Sequence, residues 1–140
     1  MKKSIILIAV MLVSFTAISQ NLKEEYVPVE VKNAFQRTFP NMKKVIWEKE
    51  EKNYVARYQL NKITHFALLN KVGEIVETKV EINIAALPKE ALLYIRENFK
   101  NAKIIEALKI TTRTGTTLYK VHLKSKKILF DIDGNYIKTD

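Results

Sequence analysis

The chain has 140 residues, a formal net charge of +9 and no cysteine. Without Cys there is no disulfide framework, thiolate metal site, cysteine nucleophile or lipid-modified cysteine anchor. A content of 47% hydrophobic residues with only three Gly and three Pro excludes a disordered or collagen-like chain.

Met1-Lys2-Lys3 is a short basic segment, followed by the continuous apolar run Ile5 to Val13. A more polar stretch then ends in small residues, Ala17 and Ser19. This layout predicts a secretory signal peptide over residues 1–19, with cleavage before Gln20. The alternative, a membrane anchor, is disfavoured because the apolar run is shorter than the roughly 20 residues a spanning helix needs. Cleavage removes Lys2 and Lys3, leaving 22 basic and 15 acidic residues, a net +7, on 121 residues. That length supports one core without disulfides and fits a bacterial envelope protein, periplasmic or extracellular.

The remaining sequence repeats itself with an offset of about 60 residues. Val27-Pro28-Val29-Glu30-Val31 matches Leu87-Pro88-Lys89-Glu90-Ala91, and Phe35, Phe39 and Asn41 match Ile95, Phe99 and Asn101. Further on, Leu69 to Gly73 aligns with Phe130 to Gly134. In the first copy Val27, Val31, Ala34, Phe35 and Phe39 form one apolar stripe on a three-turn helix. Pro28 suits its first turn, Glu30 the positive end of its dipole, and Pro40 its stop. The period then changes to two. Strands are predicted through Val45 and Trp47, over Tyr54 to Leu60, Ile63 to Asn70 and Ile75 to Ile82, with turns at Glu51-Lys52-Asn53, Asn61-Lys62 and Gly73. The second copy predicts a helix from Leu87 that ends near Lys100-Asn101, then strands over Lys103 to Thr112, Leu118 to Leu123, Lys127 to Ile132 and Tyr136 to Thr139.

The expected fold class is therefore α+β: two tandem copies, about 25–82 and 85–140, of a helix followed by a four-stranded antiparallel sheet. Each copy is small enough to need the other, so both helices are expected on one face of sheets lying side by side, within one domain over 20–140. The opposite face is open to solvent.

Candidate chemistry is sparse. Asp131-x-Asp133-Gly134-Asn135 has a calcium-loop look, but the closing carboxylate would fall beyond Asp140 and the glycine is two places early. A hairpin turn accounts for it. His65 and His122 are the only histidines, occupy unequal repeat positions and have no ligand spacing, which argues against zinc. Ser125 lies in a Lys-Ser-Lys-Lys turn, unsuited to a nucleophile, and no nucleophile-elbow motif occurs. The sequence therefore indicates no enzyme, no cofactor and no metal site. Basic residues are scattered rather than gathered into a patch, which argues against nucleic acid, and no stable membrane span is expected after processing.

Exposed aromatic side chains among charges are what a protein-binding sheet face requires. Trp47, with Glu48, Glu50, Arg57 and His65, forms the candidate interaction surface, although a core position for Trp47 is an equally economical reading. Tyr54, Tyr58, Tyr119 and Phe130 are expected beneath the helices.

The run Val27-Pro28-x-x-Val31-Lys32-x-Ala34-Phe35-x-x-x-Phe39-Pro40, then Lys44-Val45-x-Trp47-Glu48-Lys49-Glu50, Tyr54-x-Ala56 and Gly73-x-x-x-Glu77-Thr78, resembles the PepSY-like family, also described as beta-lactamase-inhibitor-like. Leu87-Pro88 through Phe130-Asp131-x-x-Gly134 resembles the same module more weakly. The resemblance implies a secreted or periplasmic tandem of helix-plus-four-strand units, with relatives that inhibit enzymes through a concave sheet surface. It transfers no inhibitory residue, because the matched motif is structural. The expected function is a non-enzymatic module binding another envelope protein, with inhibition or regulation of an envelope enzyme as its specific form. The alternative is a binder of small ligands or cell-wall fragments on the open sheet face.

Overall fold

Apolar residues at every second position make strands whose two faces differ, and short polar turns join them in sequence. The computed structural model describes residues 21–140, and the expected signal peptide lies outside them. Nine strands follow one another: β1 (Asn21–Leu22), β2 (Ile46–Glu50), β3 (Asn53–Leu60), β4 (Ile63–Leu69), β5 (Ile75–Ile82), β6 (Glu106–Thr112), β7 (Thr117–His122), β8 (Lys127–Phe130) and β9 (Tyr136–Thr139). Their spatial order is their chain order, and every neighbouring pair is antiparallel. Two ten-residue helices interrupt this meander, α1 (Val29–Thr38) between β1 and β2, and α2 (Lys89–Asn98) between β5 and β6.

This corrects the expected fold class. Residues 21–140 form one nine-stranded antiparallel sheet carrying two short α-helices, not two tandem helix-plus-four-strand sheets. The decisive contact is β5 with β6, paired from Glu77↔Thr112 to Ile82↔Ala107 without a break. Separate sheets would have left both strands as unpaired edges, with their N–H and C=O groups exposed. The two-residue β1, absent from the expectation, pairs Asn21 with Glu48 and Leu22 with Trp47 and supplies the ninth strand. At the strand ends, Arg113 reaches from the β6–β7 turn to both carboxylate oxygens of Glu74 in the β4–β5 turn, at 3.2 and 3.3 Å.

The helices begin alike. Pro28 and Pro88 hold extended backbone at the N-caps, and their carbonyls accept from the amides of Val31 and Ala91. Each helix lays its stripe on the same side of the sheet. Val31, Ala34 and Phe35 of α1 pack with Trp47, Tyr54, Ala56, Tyr58, Ala67 and Leu69. Ala91 and Ile95 of α2 pack with Ala107, Val121, Leu123, Ile128 and Phe130.

Two glycines fix the distance between helix and sheet. Gly73 (φ +87°) and Gly134 (φ +89°) sit in the turns after β4 and β8, where the left-handed conformation favours a residue without Cβ. A Cβ at Gly73 would lie 2.8 Å from the Ala34 Cβ and the Glu30 carbonyl oxygen. At Gly134 it would lie 2.8 Å from the Ala91 nitrogen and the Pro88 Cβ. Side chains lock both turns. Asn70 Oδ1 accepts from the amides of Val72 and Glu74, and Asp131 Oδ1 from those of Asp133 and Asn135. The Asp131 carboxylate, held below the usual carboxylate range chiefly by its hydrogen bonds from Asn135, is thus spent within its own turn.

Candidate interaction face

Strand alternation puts Glu48 and Glu50 of β2, Val55 and Arg57 of β3, Phe66 and Leu68 of β4, and Glu77, Lys79 and Glu81 of β5 on the face opposite the helices. The same parity continues through Glu106, Leu108 and Ile110 of β6, Leu118, Lys120 and His122 of β7, and Lys127 and Leu129 of β8. Register aligns these residues in rows across the strands. One row runs Arg57, Phe66, Lys79, Ile110, Leu118, and another Glu81, Leu108, Lys120, Leu129.

Three apolar residues of this face are shielded without help from a helix. Val55 is 7% exposed, Leu108 5% and Ile110 3%, yet none belongs to the helix-side clusters. Ile110 and Leu108 stand directly beside Lys79 and Lys120, whose long stems flank β6 on this face.

Charged residues stand among these apolar ones, Glu77 and Lys79 of β5 lying between Val55 and Ile110. Arg57 Nε lies 3.4 Å from Glu48 Oε1, an ion pair without hydrogen-bond geometry at that nitrogen, and Lys79 Nζ lies 3.4 Å from Glu77. His122 Nδ1 is 2.8 Å from Glu106 Oε2, across the β6–β7 pair. Burial, then the ammonium groups of Lys127, Lys120 and Lys79, lower the His122 pKa to about 4. The imidazole is therefore neutral near pH 7, with its Nδ1 set against the carboxylate. Burial, reinforced by the nearby Glu81, raises the Glu106 pKa. Lys120 is half-buried, and its ammonium pKa is lowered by burial and by Lys79 and Lys127. Neither Lys120 nor Lys127 forms a salt bridge among the described residues.

The residues named from sequence divide between the two faces. Glu48, Glu50 and Arg57 do lie on the open face. Trp47 does not: it is 4% exposed in the helix-side core, edge-on to Phe35 with ring centroids 5.6 Å apart. His65 also faces the helix side, stacked on Tyr58 at 5.4 Å. Sequence reasoning missed Leu108, Ile110, Lys120 and His122, although their signal was visible as apolar and long basic residues at the parity expected to be merely solvated.

Hollows of appreciable size lie away from the centre of the open face. One of about 570 Å³ wraps the β2–β3 end, lined by Lys43, Lys44, Ile46, Arg57 and Thr64 among others. Another of about 220 Å³ lies on the helix side, between Phe39, Tyr58, His65 and the strand residues Val80, Lys109 and Thr111. Among the described residues, no group of three or more His, Cys, Asp or Glu is placed to hold a metal ion, and no helix is long and apolar enough to cross a membrane.

A meander sheet with one helix-covered and one uncovered face defines a class seen in solved structures. The fold matches a DUF2874 family protein from Bacteroides uniformis with a TM-score of 0.72, at 15% identity, over 82% of this chain and 89% of that one. It matches a BLIP-like protein from Bacteroides fragilis with a TM-score of 0.60, at 20% identity, over 79% of this chain and 83% of that one. A protein from Bacteroides eggerthii, provisionally described as periplasmic, gives a TM-score of 0.73 at 15% identity, over 82% of this chain and 88% of that one. At these identities the likeness is one of fold, and that fold is beta-lactamase-inhibitor-like. No family model matches the chain, and no curated protein does.

Proposed function

We propose that the protein is an exported, periplasmic, non-enzymatic module that binds another envelope protein through its open sheet face. One observation carries the reading: on a face that no helix covers, Leu108 and Ile110 of β6 and, across β4 and β5, Val55 of β3 are shielded apolar residues set among Arg57, Glu48, Lys79, Glu77, Lys120 and Glu106. Shielded apolar side chains interspersed with charged ones on an uncovered sheet face are what a protein interface can use. The basic n-region and apolar run at the start of the sequence support export. The fold shared with a protein provisionally described as periplasmic agrees with that location. The BLIP-like neighbour agrees with a role in inhibiting or regulating an envelope enzyme. The PepSY-like resemblance of the sequence belongs to the same reading.

Affinity capture from envelope extract tests this, using the wild-type chain beside Phe66→Glu and Leu118→Glu, both on the open face, and Lys32→Glu on α1. A discrete partner retained by wild type and Lys32→Glu but lost by the open-face variants supports the reading. Capture insensitive to the open-face changes overturns it.

A second reading is favoured by the hollow of about 570 Å³, where Lys43, Lys44 and Arg57 converge on a space large enough for a small anionic ligand or cell-wall fragment. Calorimetric titration with anionic muropeptides tests it, and no heat of binding rejects it.

A further inference from the structure

Where the two halves of the sheet meet on the helix side, four strand residues belong to neither helix. Thr78 and Val80 of β5 pair with Thr111 and Lys109 of β6, and none of the four joins the clusters beneath α1 or α2. They floor the hollow of about 220 Å³, whose wall is the three rings of Phe39, Tyr58 and His65. Tyr58 lies 5.1 Å from Phe39 and stacks on His65 at 5.4 Å, centroid to centroid.

Polar groups without partners converge on this hollow. Among the described residues, the hydroxyls of Tyr58, Thr78 and Thr111, the His65 imidazole nitrogens and the Lys109 ammonium make no hydrogen bond or salt bridge. Tyr58 is only 5% exposed, and burial raises its pKa, so the phenol stays protonated and both donates and accepts. A hydroxyl this enclosed gains from a ligand oxygen that reaches it. No Asp or Glu lines the hollow, and Lys79 turns its side chain to the other face, where it meets Glu77. A ligand entering here therefore meets the ammonium of Lys109 with no carboxylate in competition.

Each feature selects one property of the occupant. The volume is below that of a drug-sized site and suits a single six-membered ring. The aromatic wall favours a ring with an apolar face, the hydroxyls favour oxygen substituents, and Lys109 favours an anionic one. We infer that this hollow is a binding site for an acidic monosaccharide, its ring against Phe39, Tyr58 and His65, its hydroxyls bonded to Thr78, Thr111 and Tyr58, and its carboxylate paired with Lys109. The site lies on the face opposite the proposed protein interface. It shares only Tyr58 with the hollow at the β2–β3 end, so it stands or falls independently of both readings above.

The test is an amide NMR titration of the isotope-labelled mature chain with three probes. Glucuronate carries ring, hydroxyls and carboxylate; glucose lacks the charge; benzoate keeps ring and carboxylate but lacks the hydroxyls. The inference expects glucuronate to shift the amides of His65, Thr78, Val80, Lys109 and Thr111 and to saturate with a Kd of about 1 mM, the scale for a ligand of this size. Glucose and benzoate should each bind at least about tenfold more weakly. Lys109→Met and Thr111→Val, both at exposed positions, should weaken glucuronate binding by about tenfold and about threefold, with Trp47 emission unchanged as the check on folding. No shift at about 10 mM glucuronate, roughly ten times that Kd, overturns the inference. So does glucose or benzoate binding as well as glucuronate, full affinity in Lys109→Met, or shifts confined to Asn61 and Thr64 at the larger hollow.

Discussion

Glu106 and His122 face each other across β6 and β7 with 2.8 Å between Oε2 and Nδ1, and the imidazole is held neutral beside the carboxylate. A carboxylate at that distance ordinarily favours the imidazolium. Here burial, together with Lys127, Lys120 and Lys79, outweighs it and brings the His122 pKa from 6.5 to about 4.

The sign of the resulting pH dependence follows. Between about pH 6.5 and 4 the unfolded chain protonates this histidine and the folded chain does not, so stability falls as the pH falls through that window. The shift corresponds to roughly 3 kcal/mol. Glu106, with its pKa raised, contributes the opposite slope at the acid end. An NMR titration of the His122 ring should give a midpoint near 4, and His122→Gln should flatten the loss of stability between pH 6.5 and 4. A midpoint at 6.5 or above would show that the ion pair prevails over burial.

The turn glycines are predicted to differ in cost. Gly73→Ala and Gly134→Ala add both left-handed strain and a 2.8 Å collision with a helix N-terminus. Each should lose about 2 kcal/mol or more. Gly115 has φ +83° but nothing within 4 Å of an added Cβ, so Gly115→Ala should cost only about 1 kcal/mol. Urea denaturation of the three variants checks the order, and equal losses would mean that helix docking does not depend on these turns.

Phe35 touches Phe39, Trp47 and Tyr58 with ring centroids 5.1 to 5.6 Å apart. Phe35→Ala should therefore cost about 3–5 kcal/mol. Trp47, the single tryptophan, reports on the same cluster. Its emission should be blue-shifted and poorly quenched by acrylamide in the native protein, and should shift red on unfolding. Ready quenching in the native state would place the indole in solvent and contradict the packing.

Since β5 and β6 pair along six residues, thermal unfolding should be a single cooperative transition by circular dichroism and by Trp47 fluorescence. Two resolved transitions would indicate that the halves hold together separately.

Much of this was legible in the residues, for reasons that are local. Alternation placed Tyr54, Tyr58 and Phe130 under the helices, and Gly73 and Gly134 marked turns that no other residue suits as well. What could not be read depends on partners distant in sequence. The alternation of β5 and β6 gives the face of each residue but not which strand lies beside it, so the seam between Ile82 and Ala107 looked like a boundary between sheets. Trp47 stands beside charged Glu48 and Lys49, and local polarity alone did not show that its own side chain turns inward onto Phe35. The apolar residues Val55, Leu108 and Ile110 carry a different lesson. Strands that are apolar at both parities belong to a sheet shielded on both faces, and here only one face has helices to provide that shield.

The use of the uncovered face by a partner is tested most directly by photo-crosslinking in the native envelope, with benzoylphenylalanine replacing Phe66 on that face or Gln36 on α1. The account predicts a discrete adduct of higher mass from position 66 and none from position 36. An adduct from position 36 alone, or none from either, would contradict it.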